Sequence, residues 1–477
     1  MVHASPVPGP LAAVRLGTPT GRAVVAAATL GSGMTLLDGT VVNVALRAIG
    51  EDLDAGVRAL QWTTNGYLLT LAALILLGGS LGDRFGRRRV FVVGTVLFAV
   101  ASLLCGLAPD VWTLVAARAL QGVGAALLAP GSLAMLQAAF RAEDRARAIG
   151  LWSGLGSIAA AVGPFVGGLL VDQLSWRWIF LVNLPLAAAT VLLARHVPET
   201  RDAERARGAD VPGAALATLA LAATTYALVE VGSSASALAA VVGLVAGAAF
   251  VVAERRARQP MLPLGLFGDR TFSAANAMTL LVYAALGAVL FFLVLQLQTV
   301  AGWSALEAGL ATLPITVCML LLAARGGALA TRIGPRVPLT AGPLVMAGGV
   351  LLLRAAGAET SYVRDVLPGL TVFGLGLALM VAPLTATVLA AAPDRHAGVA
   401  SGVSNAVARA GTLLAVAALP PLVGLSGADY ARPEVMDAGY DAALLACAGL
   451  LAAGAVVSWI GVRDVLAPPT LERGGPA

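Results

Sequence analysis

The chain has 477 residues, of which 58% are hydrophobic and only 12% are charged, and its formal net charge is +5. A soluble globular domain is about half apolar and about one quarter charged, so this composition excludes an ordinary water-soluble protein. The chain contains arginine but no lysine. The absence of lysine excludes a P-loop ATPase and a retinal-binding light pump, because the first needs a lysine for phosphate and the second needs one for its Schiff base.

The apolar residues form fourteen segments separated by short charged or turn-forming loops. Each segment is long enough for a membrane-spanning helix, which needs about 20 residues. We therefore predict an all-α integral membrane protein with fourteen transmembrane helices, preceded by a disordered cytoplasmic N-terminus at 1–21. The predicted spans are 22–46, 59–82, 89–108, 112–139, 147–171, 177–196, 212–231, 236–254, 271–299, 306–331, 337–356, 364–392, 397–425 and 441–462.

Two stretches of the chain repeat at one fixed offset. The segment 79–88 matches 327–336 at several glycine, leucine and arginine positions, and 153–163 matches 401–411 at the same offset of 248 residues. Transporters are often built from such repeats, with the substrate site between them. We therefore predict an N-terminal six-helix bundle at 22–196, inserted helices 7 and 8 with cytoplasmic loops at 197–270, a C-terminal six-helix bundle at 271–462 and a cytoplasmic tail at 463–477.

Arginines are concentrated in alternate loops. The largest clusters lie at 84–89, 141–147, 195–207 and 255–270, and cytoplasmic loops of membrane proteins carry an excess of basic residues. We therefore expect both termini in the cytoplasm, an even number of spans and a multi-pass location in the inner (plasma) membrane. The loops are too short to hold a soluble catalytic domain, so an enzyme is not expected.

Two charged residues of the first bundle lie well inside predicted spans, away from their ends, where an ionisable side chain is costly and is a functional candidate by default. Asp38 lies deep in the first span, and a carboxyl group that can be neutral or charged is what proton exchange requires. The alternative is a structural hydrogen-bond centre shared with Thr40 and Asn43. Arg118 lies in the fourth span, where it either serves proton coupling or tethers a helix packed through neighbouring glycines.

Four motifs carry a resemblance to a known family. They are Gly79-Ser-Leu-Gly-Asp-Arg-Phe-Gly-Arg-Arg88 after span 2, Leu37–Leu46 in span 1, Leu114–Gly124 in span 4 and Gly163–Gly168 in span 5. Over nearly its whole length the chain resembles the major facilitator superfamily, specifically its fourteen-helix drug:proton antiporter branch, the EmrB/QacA-like multidrug exporters. The resemblance implies two six-helix bundles plus two inserted helices, and transport by alternating access.

The same resemblance assigns roles to two of these motifs. The loop after span 2 is expected to be a conformational latch formed by Gly79, Asp83, Arg84, Gly86, Arg87 and Arg88. The span-5 motif, associated with antiporters rather than symporters, consists of Gly163, Pro164, Gly167 and Gly168. Its glycines permit close helix packing and its proline bends the helix. Arg47 stands where the family usually has proline, so the outer end of span 1 is expected to differ.

Polar side chains inside the spans are candidates for the substrate cavity. We predict that the cavity is lined by Asn43, Tyr67, Gln121, Asn276, Tyr283 and Gln296. Glu230, near the end of the first inserted helix, is either interfacial or a second acid. Arg409 lies well inside a span of the second bundle, and the sequence does not reveal its partner. Because the spans contain few acids, we expect a monovalent, neutral or zwitterionic lipophile rather than a divalent cation.

These features predict proton-coupled efflux of hydrophobic or amphipathic small molecules, such as drugs or natural products, with the proton gradient as the energy source. A metabolite or amino-acid transporter on the same fold is the main alternative, and a membrane scaffold is a weaker one. The three cysteines and three histidines are scattered, so no metal and no cofactor are expected. The expected partners are the lipid bilayer, a small lipophilic substrate and protons. We expect no nucleic-acid partner, and we expect a monomer.

Overall fold

The structure is a computed structural model in which the chain folds into a bundle of long helices. It describes residues 14–201, 210–257, 260–393, 396–427 and 429–463. The regular elements of these residues are helices, and one isolated bridge pairs Val14 with Phe140. The first thirteen residues of the predicted N-terminal tail, loop residues 202–209 and the tail beyond residue 463 lie outside the described residues.

Sixteen α-helices lie within the described residues. A helix satisfies its own backbone N–H and C=O groups, which is what an apolar segment without access to water requires. In chain order the helices are α1 Pro19–Asp52, α2 Val57–Phe85, α3 Arg87–Gly106, α4 Val111–Ala139, α5 Ala142–Gln173, α6 Trp178–Leu181, α7 Asn183–Ala194, α8 Val211–Val229, α9 Ser236–Arg256, α10 Arg270–Thr299, α11 Ala305–Ala311, α12 Leu313–Ile333, α13 Arg336–Leu352, α14 Leu367–Ala390, α15 Ala397–Leu422 and α16 Pro433–Gly461.

Polar side chains fix the starts of several helices. The hydroxyl of Thr18 accepts the N–H of Gly21 at 3.1 Å at the start of α1. Asp110 accepts the N–H groups of Trp112 and Thr113 at 2.9 Å at the start of α4. The hydrogen bonds from Thr113 hold the pKa of Asp110 below its ordinary value, because they stabilise the charged carboxylate. Such caps satisfy backbone N–H groups that have no partner inside the helix.

Twelve helices of the described residues are long and apolar enough to cross a membrane, so length and composition do not confirm the predicted fourteen spans. The predicted span 177–196 is a shorter apolar segment, Trp178–Ala194, and it is broken between α6 and α7. The predicted span 306–331 is broken in the same way between α11 and α12. Pro185 and Pro314 explain these breaks, since neither has an N–H to donate to the preceding turn.

The long helices pack as two groups with the α8–α9 pair beside both. In the first half, α1–α7, helix α4 packs against α2 and α3, and α1 packs against α5 and α7. In the second half, α10–α16, helix α14 packs against α12 and α13, and α10 packs against α15 and α16. Helix α8 contacts α2 and α15. In the most apolar stretch of α9, by contrast, only 11% of the residues are buried. Such an exposed apolar helix fits surroundings of lipid.

Close contacts between helices are made at glycines in both halves. A Cβ at Gly94 of α3 would lie 2.9 Å from the carbonyl oxygen of Gly124 on α4. Gly342 of α13 lies 248 residues further along, and a Cβ there would lie 2.8 Å from the carbonyl oxygen of Gly376 on α14. Small residues allow two backbones to approach this closely, and the sequence repeat therefore extends to the packing of the two halves.

Candidate functional site

A buried ion pair joins α1 to α4. The side chain of Asp38 has no exposed surface, and that of Arg118 is 1% exposed. A terminal guanidinium nitrogen of Arg118 donates to a carboxylate oxygen of Asp38 at 2.5 Å. The two residues are 80 positions apart, so the crossing of the two helices, rather than the local sequence, brings these charges together.

Three neutral polar side chains complete the network around this pair. Gln121 accepts a hydrogen bond from Arg118 at 2.6 Å and donates to the second oxygen of Asp38 at 2.8 Å. Gln121 also donates to Ser102 of α3 at 2.8 Å. Asn183 of α7 donates to Ser102 at 3.3 Å and to Asp38 at 3.5 Å. Charges are tolerated away from water when they are paired and hydrogen-bonded, and this network meets both conditions.

Aromatic rings enclose the guanidinium of Arg118. Its central carbon lies 4.4 Å from the ring centre of Tyr67 and 5.7 Å from that of Phe180, which are cation–π distances. The Nε of Arg118 donates to the carbonyl oxygen of Thr63 at 3.2 Å. Arg118 therefore contacts α1, α2 and α6 at once, and a change in the charge of Asp38 would act on all three.

Thr40 and Asn43, the neutral partners considered from the sequence, are not part of this network. The Thr40 hydroxyl donates to the carbonyl oxygen of Leu37 in its own helix at 2.9 Å, and Asn43 is partly exposed. The sequence predicted the acid and the cation of the network but not Ser102 and Asn183. Each of these is a single polar residue in a predicted span, which gives only a weak signal.

Two carboxylates hold the arginine-rich connection between α2 and α3. Asp83, near the end of α2, accepts a hydrogen bond at 2.8 Å from Arg87, which lies on the other side of Gly86. Gly86 has a φ of 108°, a conformation that glycine adopts without strain. A Cβ at Gly86 would lie 2.6 Å from the carboxyl carbon of Glu199. Glycine is therefore required here both for the turn and for the close approach of Glu199.

Glu199, in the connection that follows α7, is a candidate latch residue that was not predicted. Its carboxylate accepts the backbone N–H groups of Arg88 at 3.0 Å and Arg89 at 3.2 Å. These N–H groups lie in the first turn of α3, where the helix dipole favours a negative charge. Of the other latch residues, Arg84 is exposed and Gly79 packs on α4. The only sequence signal was an acid in an arginine-rich loop, which identifies a partner only once the loops are known to be adjacent.

The glycines of the α5 motif let three helices approach closely. A Cβ at Gly163 would lie 2.3 Å, and a Cβ at Gly167 would lie 2.2 Å, from side-chain atoms of α1. A Cβ at Gly168 would lie 2.4 Å from the backbone Cα of Leu306 in α11. Because α1 belongs to the first half and α11 to the second, this motif links the helix that carries Asp38 to a contact between the halves.

The contact between α5 and α11 closes one end of the bundle. A Cβ at Gly309 of α11 would lie 2.4 Å from the carbonyl oxygen of Pro164. The carboxylate of Asp172, in the last turn of α5, accepts the N–H groups of Ala305 and Leu306 at 3.1 and 2.9 Å. Asp172 therefore caps the first turn of α11 and ties the second half to the first.

Further contacts between the halves lie at this same end, which contains residues 53–56 between α1 and α2 and is called the closed end below. The N–H of Val57 donates to the carbonyl oxygen of Gly427 at 2.7 Å. The hydroxyl of Tyr430 donates to the carbonyl oxygen of Ala55 at 2.9 Å. Since α2 begins at the closed end and runs to the arginine-rich connection, that connection lies at the opposite end.

An open cleft between α10, α14 and α15 lies toward that opposite end. Its cavity volume is about 80 Å³, and it is open to solvent on one side. Val381 and Leu384 contribute apolar surface to it, and Tyr283, predicted as a cavity residue, lines it as well. The remaining polar side chains of its lining are those of Thr279, Thr385, Ser401, Ser404 and Asn405. The cleft therefore offers both apolar and hydroxyl-bearing surface to a ligand.

The other predicted cavity residues lie elsewhere. Gln121 belongs to the ion-pair network, and Asn276 and Gln296 are buried and donate to backbone carbonyl oxygens at 2.9 Å. Tyr67 is 1% exposed and stacks on the arginine of that network, whereas Asn43 is partly exposed. The buried positions differ from the prediction because a polar residue of an apolar helix can face the inside of a bundle as well as a cavity.

The sequence did not determine the role of Glu230 or the partner of Arg409, and the structure gives these two residues different surroundings. Glu230 ends α8, accepts a hydrogen bond from Trp62 at 3.3 Å and lies 3.5 Å from Arg58, which agrees with an interfacial position. Arg409 lies in the middle of α15 and is partly exposed. It forms no hydrogen bond or ion pair with any residue that the structure describes.

Comparison with known proteins relates the chain to membrane transporters. The sequence pattern of the Major Facilitator Superfamily matches residues 28–416. The multidrug resistance protein Stp of Mycobacterium tuberculosis is 38% identical over 396 residues, which cover 82% of this chain and 73% of that protein. The tetracenomycin C resistance and export protein of Streptomyces glaucescens is 36% identical over 411 residues, which cover 83% of this chain and 75% of that protein.

The fold is similar to that of a solved transporter structure. The crystal structure of a D-xylose–proton symporter superposes with a TM-score of 0.67 at 16% sequence identity, and the match covers 93% of this chain and 98% of that chain. At so low an identity the likeness establishes the fold alone. Together with the family pattern and the relatives, the helical bundle shows that this chain is a multi-pass membrane protein of the Major Facilitator Superfamily.

Proposed function

We propose that this protein exports hydrophobic or amphipathic small molecules, drugs or natural products, in exchange for protons. The observation that carries the proposal is the fully buried pair of Asp38 and Arg118, in which one carboxylate is held by one cation. The relatives named above are, by name, proteins of multidrug resistance and of tetracenomycin C resistance and export. Since a fold does not determine a substrate, the substrate class rests on these relatives.

In the proposed cycle, a proton and Arg118 compete for the carboxylate of Asp38. When Asp38 takes up a proton, the ion pair is lost and the guanidinium has no counter-charge. A buried unpaired charge is unfavourable, so the helices around it shift until Arg118 is solvated or paired again. Asp38 has no exposed surface in this state, and the substrate therefore does not need to touch the carboxyl group itself.

The α5 motif would carry this change to the closed end. Helix α1, which carries Asp38, packs against Gly163 and Gly167, and the next glycine of the motif, Gly168, packs against α11. A movement of α1 relative to α4 would therefore displace α5 and the contact that closes this end. Closure by packed helices that have two discrete arrangements is a common basis of switching.

We further propose fourteen spans with both termini in the cytoplasm. To the twelve apolar helices we add α5, which packs against α1, and the segment Trp178–Ala194, whose helix α7 packs against α1 and α3. The arginine-rich connection between α2 and α3 then lies on the cytoplasmic side. In this proposed topology the cleft would open toward the cytoplasm, and the conformation would be inward-facing.

The test is export driven by a pH gradient in inverted membrane vesicles, followed with fluorescent lipophiles. Asparagine has the shape of aspartate but cannot carry its charge or exchange its proton. We therefore expect export by the Asp38→Asn variant to fall to background and to lose its dependence on the gradient. Gly154→Ala is the matched control, because a Cβ at this position of α5 meets no atom within 4 Å. Full gradient-driven export by Asp38→Asn at equal expression would contradict the proposal.

A further inference from the structure

Arg409 is a charge deep in the membrane that the proposed cycle does not use. It lies twelve residues from the start of α15, Ala397–Leu422, which is about 18 Å along the axis at the usual rise per residue. Arginines near helix ends can extend their side chains to the membrane surface. Arg409 is too far from either end of its helix for that explanation.

The described residues do not compensate this charge. Arg409 forms no hydrogen bond or ion pair with them, although the phenols of Tyr67 and Tyr283 are close enough to interact with it electrostatically. By contrast, Arg118 is matched by Asp38. An unpaired arginine at this depth is costly, which indicates a partner that the described part of the chain does not supply.

The surroundings of Arg409 place it where a ligand can reach it. Helix α15 packs against α2 of the first half and against α10 of the second, so Arg409 lies on a helix between the two halves. Tyr283 lines the open cleft, and so does Asn405, one helical turn before Arg409. Arg409 is partly exposed, and a molecule that fills the cleft can therefore approach its guanidinium.

We propose that Arg409 is the anion-recognition residue of the substrate site and that the substrates include amphipathic organic acids. A planar guanidinium binds a carboxylate through two parallel hydrogen bonds, and Ser401 and Ser404 of the cleft offer hydroxyl groups to other polar atoms of the ligand. Val381 and Leu384 provide apolar surface for the remainder of the ligand. This inference rests on the proposed export function and narrows its substrate class.

The test compares three fluorescent coumarins of one scaffold: a carboxylic acid, its methyl ester and a quaternary ammonium derivative. Binding is measured with the purified full-length protein in detergent. We expect the wild-type protein to bind the acid about tenfold more tightly than the ester, as a charged hydrogen bond allows, and the ammonium derivative most weakly. Arg409→Gln should abolish the preference for the acid over the ester. Arg409→Lys should retain part of the preference, because it keeps the charge but not the paired donors.

Arg325→Gln is the matched control. Arg325 is an exposed arginine of the same half, and its guanidinium donates to the carbonyl oxygen of Leu321 in its own helix at 3.1 Å. This variant should keep the full preference for the acid. Equal affinity of the wild-type protein for acid and ester would overturn the inference without the need for a variant. A preference for the acid that survives Arg409→Gln would overturn it as well.

Transport of the same probes in proteoliposomes separates this inference from the proposed function. Proton-driven export of the ester with no preference for the acid would refute anion recognition and leave the export function standing. Binding of the acid that depends on Arg409, without proton-driven movement of any probe, would support anion recognition and contradict proton-coupled export of these compounds.

Discussion

The two halves of this protein hold an arginine inside the membrane in opposite ways. In the first half, Arg118 is 1% exposed and donates to Asp38, Gln121 and a backbone carbonyl oxygen. In the second half, Arg409 is partly exposed and is unpaired among the residues that the structure describes. The side chains without exposed surface in the second half include the apolar residues Leu339, Met346, Leu370, Phe373 and Met380.

This difference suggests that two halves of one architecture have separate tasks. A paired and enclosed carboxylate can exchange its cation for a proton without touching the substrate. An unpaired cation beside an open cleft attracts a ligand of the opposite charge, and more strongly there than in bulk water. Under the proposed function, energy coupling resides in the first half and charge selection in the second. The contact of α5 with α11 joins the two tasks.

The largest effect is expected when the paired arginine is replaced. Arg118→Met leaves the carboxylate of Asp38 buried without a counter-charge, and breaking a buried pair from one side costs about 3–5 kcal/mol. We expect a large fall in the unfolding temperature of the purified protein, measured by tryptophan fluorescence. The double variant Asp38→Asn with Arg118→Met should recover much of this loss, because it leaves no charge unpaired.

The matched change in the second half, Arg409→Met, serves as the control. It removes a charge that has no partner among the described residues, so the unfolding temperature should stay the same or rise. Equal destabilisation by the two methionine variants would break the comparison between the halves. Such a result would show that Arg409, like Arg118, has a structural partner.

A smaller and more local effect is expected where the halves meet. Gly168→Ala places a Cβ 2.4 Å from the backbone Cα of Leu306, and a backbone cannot move aside as a flexible side chain can. We expect the closed end to open, so that a cysteine at Ala55, which is buried there, reacts with a membrane-impermeant maleimide. The native cysteines should add little background because they are buried: Cys105, Cys318 and Cys447.

The same labelling of Gly154→Ala, a change on the same helix without close neighbours, should match that of the wild-type protein. If Gly168→Ala leaves the cysteine at position 55 as protected as before, the contact between α5 and α11 is not what closes this end. Movement at the Asp38–Arg118 pair would then have to reach the closed end through helices other than α5 and α11.

The smallest effect is expected at the latch, because its charges are partly exposed to water. The side chain of Glu199 is 21% exposed and that of its partner Arg88 is 34% exposed. Glu199→Gln should lower the unfolding free energy by at most about 1 kcal/mol, and less at high salt. Denaturant titrations at two salt concentrations measure this, with Glu143→Gln, an exposed acid of α5, as control. A large loss that does not depend on salt would contradict a solvent-screened latch.

Several parts of the site could be predicted from the sequence because they stand out from their surroundings. An acid and an arginine in apolar spans are conspicuous, as are glycines and prolines grouped in a helix. Glu199 could not be recognised in the same way, since acids are ordinary in loops. Gln296 was placed in the cavity, but it is fully buried and bonded to a backbone carbonyl oxygen. The position of a polar residue within an apolar segment indicates its depth in the membrane. It does not indicate whether the side chain faces a cavity or the packed interior of the bundle.

The sequence by itself determined the apolar segments, their alternation with arginine-rich loops and the repeat at an offset of 248 residues. These features follow from composition and short-range pattern, because a membrane accepts apolar helices whose backbone bonds are satisfied internally. Only the tertiary structure decided which charges meet. A helix that is apolar all round lacks the periodicity that marks its inward face. The crossing of helices distant in sequence therefore gave Arg118 its partner, Asp38, and left Arg409 beside an open cleft.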